Sequence, residues 1–173
     1  MESILRFRSQ TFINFRDFEF ESSSTHGFRW VDLKEFELLD AAASPPDILK
    51  SLIGEDAFRD DYSGGGIDPV GDRHGPYWLS MVRPSSYEPV DVQGAIEVLS
   101  KWYLQYGNVP SALREDLERI VDGPIRSSDS CFLLRELGDS AVHDYGRIQI
   151  DFHEVVAMRA GLRSVRLIVA ADD

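Results

Sequence analysis

Two runs of alternating side chains near the C-terminus constrain this chain more than any other feature in it. Between Tyr145 and Val156, Ile148, Ile150 and Phe152 fall on one face of an extended backbone, and Arg147, Gln149, Asp151 and His153 on the other. After Ala160-Gly161, Val165, Leu167 and Val169 alternate again. Successive side chains on a strand point to opposite faces. Two such runs joined by a short glycine-containing link predict an antiparallel hairpin over 145–170. A lone hairpin is marginal in water, so it needs further strands and a covering layer.

The rest of the chain supplies both. Thr11 to Glu21 is rich in aromatics and charges and reads as one strand, or two short ones with a phase change near Arg16. A turn through Ser22–Gly27 follows, and Tyr77–Arg83 reads as a buried strand closed by Pro84. Asp32 with Glu35 three residues on resembles a capping box. It predicts a helix burying Leu33, Phe36, Leu39 and Ala43 and stopped by Pro45-Pro46, then a short helix through Ile48, Leu49, Leu52 and Ile53 to Gly54. The clearest helix starts at Asp91, with Val92, Ala95, Ile96, Leu99, Trp102, Tyr103 and Tyr106 at spacings of three and four. Another follows Pro110, burying Leu113, Leu117, Ile120 and Val121, and Asp122-Gly123-Pro124 should end it. Cys131–Leu137 suits a helix or a strand equally. Helices in the middle and strands at both ends imply an α+β fold, mainly antiparallel, with helices packed on one face.

With 173 residues, 43% of them hydrophobic, the chain suits one domain over 1–173 with its own core. The single cysteine, Cys131, rules out an intramolecular disulfide and a multi-cysteine zinc cage, and beside Phe132-Leu133-Leu134 it reads as a small buried hydrophobe. No stretch is apolar enough for a signal-peptide core or a membrane span, so a cytoplasmic location is expected. The formal charge is −12, from 30 acidic and 18 basic residues, and the excess is spread along the chain. That balance disfavours nucleic acid and anionic membranes as partners and favours encounter with a basic protein.

The most distinctive loop is 55–76, where Glu55, Asp56, Asp60, Asp61, Asp68 and Asp72 accompany a glycine run at 64–66. Its carboxylates oppose a phosphate, and their spacing does not fit an EF-hand. They read as a contact surface for a basic partner, with Glu115, Asp116 and Glu118 as a second patch. No P-loop, nucleophile elbow, H-E-x-x-H or dinucleotide fingerprint occurs, and no cofactor or metal is implied. The leading expectation is therefore an acidic protein-binding domain of inhibitor or immunity type. The rival is a small enzyme or ligand-binding domain in which Asp151 and His153, two apart on a strand, share a face that His143 folds back to join, with Arg147 holding an anionic substrate group. A polar, solvated strand face accounts for the same residues. Nothing in the sequence sets the oligomeric state.

Overall fold

The computed structural model describes residues 2–26, 28–149 and 151–172. Six strands form one antiparallel sheet: β1 (Leu5–Asn14), β2 (Arg29–Leu38), β5 (Tyr87–Val90), β6 (Ser130–Leu134), β7 (Asp151–Arg159) and β8 (Ser164–Asp172). Their order is β1-β2-β8-β7-β6-β5, and a separate two-residue pair joins β3 (Arg73–His74) to β4 (Tyr77–Trp78). The C-terminal hairpin is present, with Asp151 paired to Asp172 and Arg159 to Ser164. The fold is α+β, as the distribution of patterns implied.

Both faces of this sheet are covered, which the alternation did not suggest. On one face Val31, Leu33, Val155, Ala157, Ile168 and Ala170 pack against α2 (Val92–Tyr103), α3 (Ser111–Leu117) and α4 (Gly123–Arg126). On the other, Phe36, Leu38, Val156, Met158, Val165 and Leu167 pack against α1 (Pro45–Ile53) and the layer formed by loop residues such as Ala57, Phe58 and Val82. Helices α2, α3 and α4 thus gather on one face and α1 lies on the opposite one. Full burial of such side chains contributes roughly 1.5–3 kcal/mol each, so the two-sided burial of Val155–Met158 makes β7 and β8 the centre of the core.

Several local readings differ from the structure. Residues 32–38 belong to a strand, because β2 pairs with both β1 and β8 and those ladders outweigh a local capping signal. Pro45-Pro46 begins α1 instead of stopping a helix: both sit in its first turn, where no N–H is needed, and Ser44 accepts from the Asp47 amide at 3.3 Å. Of the stretch 77–83, Tyr77–Trp78 is a paired strand and Leu79–Met81 is a 3₁₀ turn. The alternating run at 145–156 becomes a strand only from Asp151, since Gly146–Ile148 is also a 3₁₀ turn that exposes Ile148 and buries Gln149. Ile150 and Gly27 lie outside the described residues. At the N-terminus the strand starts at Leu5 and gives way to a 3₁₀ turn at Phe15–Asp17, and Cys131 falls in a strand, buried.

Asp91 caps α2 as expected, accepting from the Gly94 amide at 2.6 Å. The other end of that helix is closed from outside. Arg29, 1% exposed, donates to the carbonyls of Trp102 and, at 3.2 Å, Tyr103, and its guanidinium lies 3.9 Å from the Trp102 ring centroid. A cation at orphan C-terminal carbonyls is favoured by the helix dipole. Desolvation lowers the Arg29 pKa, and Asp172 works against that shift.

The helix after Pro110 does not end at Asp122-Gly123-Pro124. A π turn, Glu118–Asp122, absorbs the missing proline N–H and carries the chain into α4. Burial, and secondarily Glu118, pushes the Asp122 carboxyl up to about 6. A carboxyl raised on folding stabilises below its unfolded pKa, and that contribution is lost as pH rises through about 6. Asp122→Asn, which keeps an oxygen for the Tyr103 hydroxyl, should therefore stabilise the protein by about 1 kcal/mol near pH 7.5, allowing for solvent screening. Near pH 4 it should change nothing, and melting curves at the two pH values check this.

Candidate functional site

At the β1–β2 end of the second face, the register sets Gln10 opposite Lys34, Phe12 opposite Asp32 and Asn14 opposite Trp30. These side chains point the same way, toward the segment Asp60–Gly66. Between them lies a cleft of about 360 Å³, lined by Gln10, Phe12, Trp30, Asp32, Asp60 and Tyr62, with Arg16, Phe28, Gly64 and Gly66 at its margin. The loop is ordered by its own backbone: Asp68 N donates to Arg59 O and Gly75 N to Asp60 O, both at 2.8 Å. Asp60 Oδ1 accepts from the Tyr62 amide at 2.8 Å, which holds Tyr62 at φ +57° and turns its ring onto Trp30.

The walls are aromatic. Trp30 stacks between Phe12, with centroids 5.7 Å apart, and Tyr62, at 5.5 Å. Phe12 and Phe28 remain 54% and 61% exposed at the mouth. The floor is charged and buried. Lys34 Nζ donates to Asp60 Oδ2 and to the Tyr62 hydroxyl, each at 2.8 Å, and lies 3.3 Å from Asp32 Oδ2. Gln10 donates to Asp32 Oδ1 at 2.6 Å, while Asp32 Oδ2 makes no hydrogen bond. Two carboxylates thus face one ammonium, all three at most 2% exposed. Desolvation raises the Asp32 pKa against the pull of Lys34, and Asp60 adds to the rise. Desolvation, then the same two carboxylates, pushes the Tyr62 phenol well above its ordinary value, so it keeps its proton.

Behind the cleft a second buried cluster ties the loop to the sheet. His74 stacks on Phe58 with centroids 3.6 Å apart, and its Nδ1 donates to the Phe58 carbonyl at 2.7 Å. Its Nε2 meets Glu154 on β7, so one proton lies between ring and carboxyl, and the Tyr87 hydroxyl donates to the other carboxyl oxygen. Gly75, at φ +51°, is required beside it, since a Cβ there would lie 2.4 Å from the Phe152 ring.

The residues expected to bind or react are distributed differently. Of the acidic loop, Asp56, Asp68 and Asp72 are exposed, Glu55 and Asp61 are half-buried, and Asp60 is turned inward to Lys34, away from any partner. In the second patch Glu118 is paired with Arg126 and Asp116 with Arg119, leaving Glu115 exposed. His143 is buried and committed to backbone: Nε2 donates to Gly75 O at 2.8 Å and Nδ1 accepts from the Tyr145 amide at 3.1 Å. It does not join Asp151 and His153. Those two share a face and line a different cleft, of about 590 Å³, with Arg147 and Gln149. Desolvation lowers the His153 pKa, Asp151 opposing it, and Arg147 is paired with Asp139 at 3.0 Å. Among the described residues no group of three or more His, Cys, Asp or Glu is placed to hold a metal ion, and no helix is long and apolar enough to cross a membrane.

Sequence reasoning missed the cleft because it placed Asp32 at a helix N-terminus. The available signal was the even-numbered series Trp30, Asp32, Lys34, Phe36, Leu38, in which opposite charges sit two apart between large hydrophobes. No known protein family, curated protein or solved structure matches the chain.

Proposed function

We propose that this chain is an acidic protein-binding domain of the inhibitor or immunity type, which neutralises a basic protein by covering its positively charged surface. The observation that carries this reading is the conjunction at one end of the sheet. Exposed Phe12 and Phe28 border a cleft with a carboxylate floor, and the adjoining loop exposes Asp68 and Asp72. Aromatic anchors in a desolvated pocket with a polar, charged rim are how protein interfaces concentrate binding energy. The net charge of −12 complements a basic partner and speeds encounter at low salt.

A tagged chain should capture a basic protein from lysate of its native host in stoichiometric amount at low salt and less at moderate salt. With that partner in hand, Asp56, Asp68 and Asp72 changed together to Asn should slow association severalfold and flatten its salt dependence, with little change in dissociation. Unaltered association kinetics would remove the acidic loop from the interface. The rival reading, a small-ligand or catalytic domain, retains one supporting observation, that Asp151 and His153 both line the second cleft.

A further inference from the structure

We propose that β1 pairs with β1 of a second copy of this chain, antiparallel and about a two-fold axis at Gln10, so that the two sheets continue as one. The pairing goes beyond the protein-binding reading and needs no basic partner.

β1 lies at one edge of the sheet, and among the described residues β2 is the only strand it pairs with. It is ten residues long and contains neither proline nor lysine. Residues 6–10 and Phe12 are exposed. Antiparallel strands turn the N–H and C=O groups of alternate residues toward each neighbour. On the β2 side, the Leu38 amide donates to Arg163, at the start of β8, and the Leu39 amide to Ile4, at the start of β1, both at 2.8 Å. Counting on in twos, Phe36, Lys34, Asp32 and Trp30 turn their backbone groups to β8. Their opposites on β1, Phe7, Gln10, Phe12 and Asn14, therefore turn theirs away from β2, with a bulge at Arg8 inside the series. A long edge of this kind is a template for another strand. The opposite edge is protected, since β5 has four residues and Pro89 is one of them.

A second copy fits this edge better than another partner does. Aligned antiparallel to itself about Gln10, β1 sets Phe7 opposite Phe12 and Ser9 opposite Thr11 of the other copy, each twice by symmetry. Arg8 then remains the bulged residue that it already is against β2. Every residue with outward backbone groups meets another such residue, which makes the interface isologous and closed. Phe7 and Phe12 share a face and are 38% and 54% exposed, each packed on one side only by known partners, Phe36 and Trp30. The pairing gives each ring a cross-strand aromatic neighbour. Charge selects the occupant. The chain carries −12, yet β1 has no acidic residue, and its Arg6 and Arg8 are both held by Glu37. Two copies that repel elsewhere meet least opposition here, whereas a strand from a basic protein would face two arginines. Phe28, Asp68 and Asp72 lie outside β1 and take no part in the pairing.

Sedimentation equilibrium of the purified chain alone tests this. At about 100 μM it should show twice the chain mass, giving way to the monomer on dilution. The amides of Phe7, Gln10 and Phe12 should exchange slowly in the concentrated sample and fast in the dilute one, while those of Thr11 and Ile13, directed at β2, should not change. Two double variants on the face of β1 away from the cleft read the register. Ser9→Lys with Thr11→Lys opposes like charges across both symmetric pairs, and Ser9→Lys with Thr11→Glu opposes unlike ones. The first should dimerise about tenfold more weakly than the second. If either does not fold, amide exchange of the unaltered chain decides. A chain still monomeric at about 100 μM, a dimer whose Phe7, Gln10 and Phe12 amides exchange freely, or equal affinity of the two folded variants would overturn the inference. Capture of a basic protein is measured separately, so failure of the dimer leaves the protein-binding reading standing.

Discussion

Replacing Lys34 with Met should lower the stability of this protein by about 3–5 kcal/mol, the usual cost of removing one partner from a buried ion pair. Methionine nearly matches lysine in length, so the change tests charge more than volume. What it leaves behind is two buried carboxylates, Asp32 and Asp60, without the ammonium that lies within 3.3 Å of both. Single domains are stable by roughly 5–15 kcal/mol, so the loss is a large part of the total and should lower the melting temperature by on the order of 10 °C. The pH dependence gives a second reading. In the variant the carboxyls relieve their repulsion by binding protons, so the folded state holds more protons than the unfolded one, and stability falls as pH rises. Urea unfolding should show a larger deficit at pH 8 than at pH 5. Adding Asp60→Asn, which keeps an oxygen for the Tyr62 amide, should recover part of the loss. A deficit below about 1 kcal/mol at both pH values would mean the charges are compensated by solvent, and that the cleft floor is wetter than its burial indicates.

The same triad explains why the cleft was hard to read from sequence. Pattern recognition relies on charged residues marking the outside of an element. The C-terminal hairpin and α2 obey that rule closely enough to be found, because Val165, Leu167 and Val169, or Leu99, Trp102 and Tyr103, are buried without polar companions on their own stripe. On β2 the rule fails. Asp32 and Lys34 are buried between Trp30 and Phe36, while Glu35 and Glu37 sit on the opposite face paired with arginines of neighbouring strands. No clean period of two survives, and the D-x-x-E spacing then resembles a helix start. The partner that makes burial of Lys34 tolerable, Asp60, lies 26 residues away in a loop whose carboxylates all look alike in sequence.

The position of His143 was hard to read for the complementary reason. His143, Asp151 and His153 are close in sequence, but a 3₁₀ turn at Gly146–Ile148 separates the first from the strand that holds the others. Gly146 permits the chain to pass tightly there, since a Cβ would lie 2.2 Å from the Pro76 carbonyl oxygen. The same approach gives His143 its partner, the Gly75 carbonyl. The histidine that does meet a carboxylate is His74, and Glu154 is 80 residues further on. Proximity along the chain carried no information about that pair.

Glu154→Ala should be the most damaging single change outside the cleft floor, at about 3–5 kcal/mol. Glu154 is 1% exposed, shares a proton with His74 Nε2 and accepts from the Tyr87 hydroxyl. Truncation strands the His74 Nε2 and the Tyr87 hydroxyl in a dry interior and opens a cavity between them. Tyr87 has no route to ionisation in compensation, since burial, the largest cause of its raised phenol pKa, persists when Glu154 is removed. Tyr87→Phe, which removes one donor but leaves the His74 pair, should cost only about 1 kcal/mol. The location of the damage matters more than its size. His74 anchors the loop through Phe58 and Glu154, and the loop positions Asp60 and Tyr62 at the cleft. Hydrogen exchange in Glu154→Ala should therefore accelerate first across the amides of Arg59, Asp60, Tyr62 and Asp68, ahead of β7 and β8. Partner binding should weaken in step with that opening. Uniform acceleration over the whole sheet would show instead that Glu154 supports the core alone and that the loop is held by its own backbone bonds.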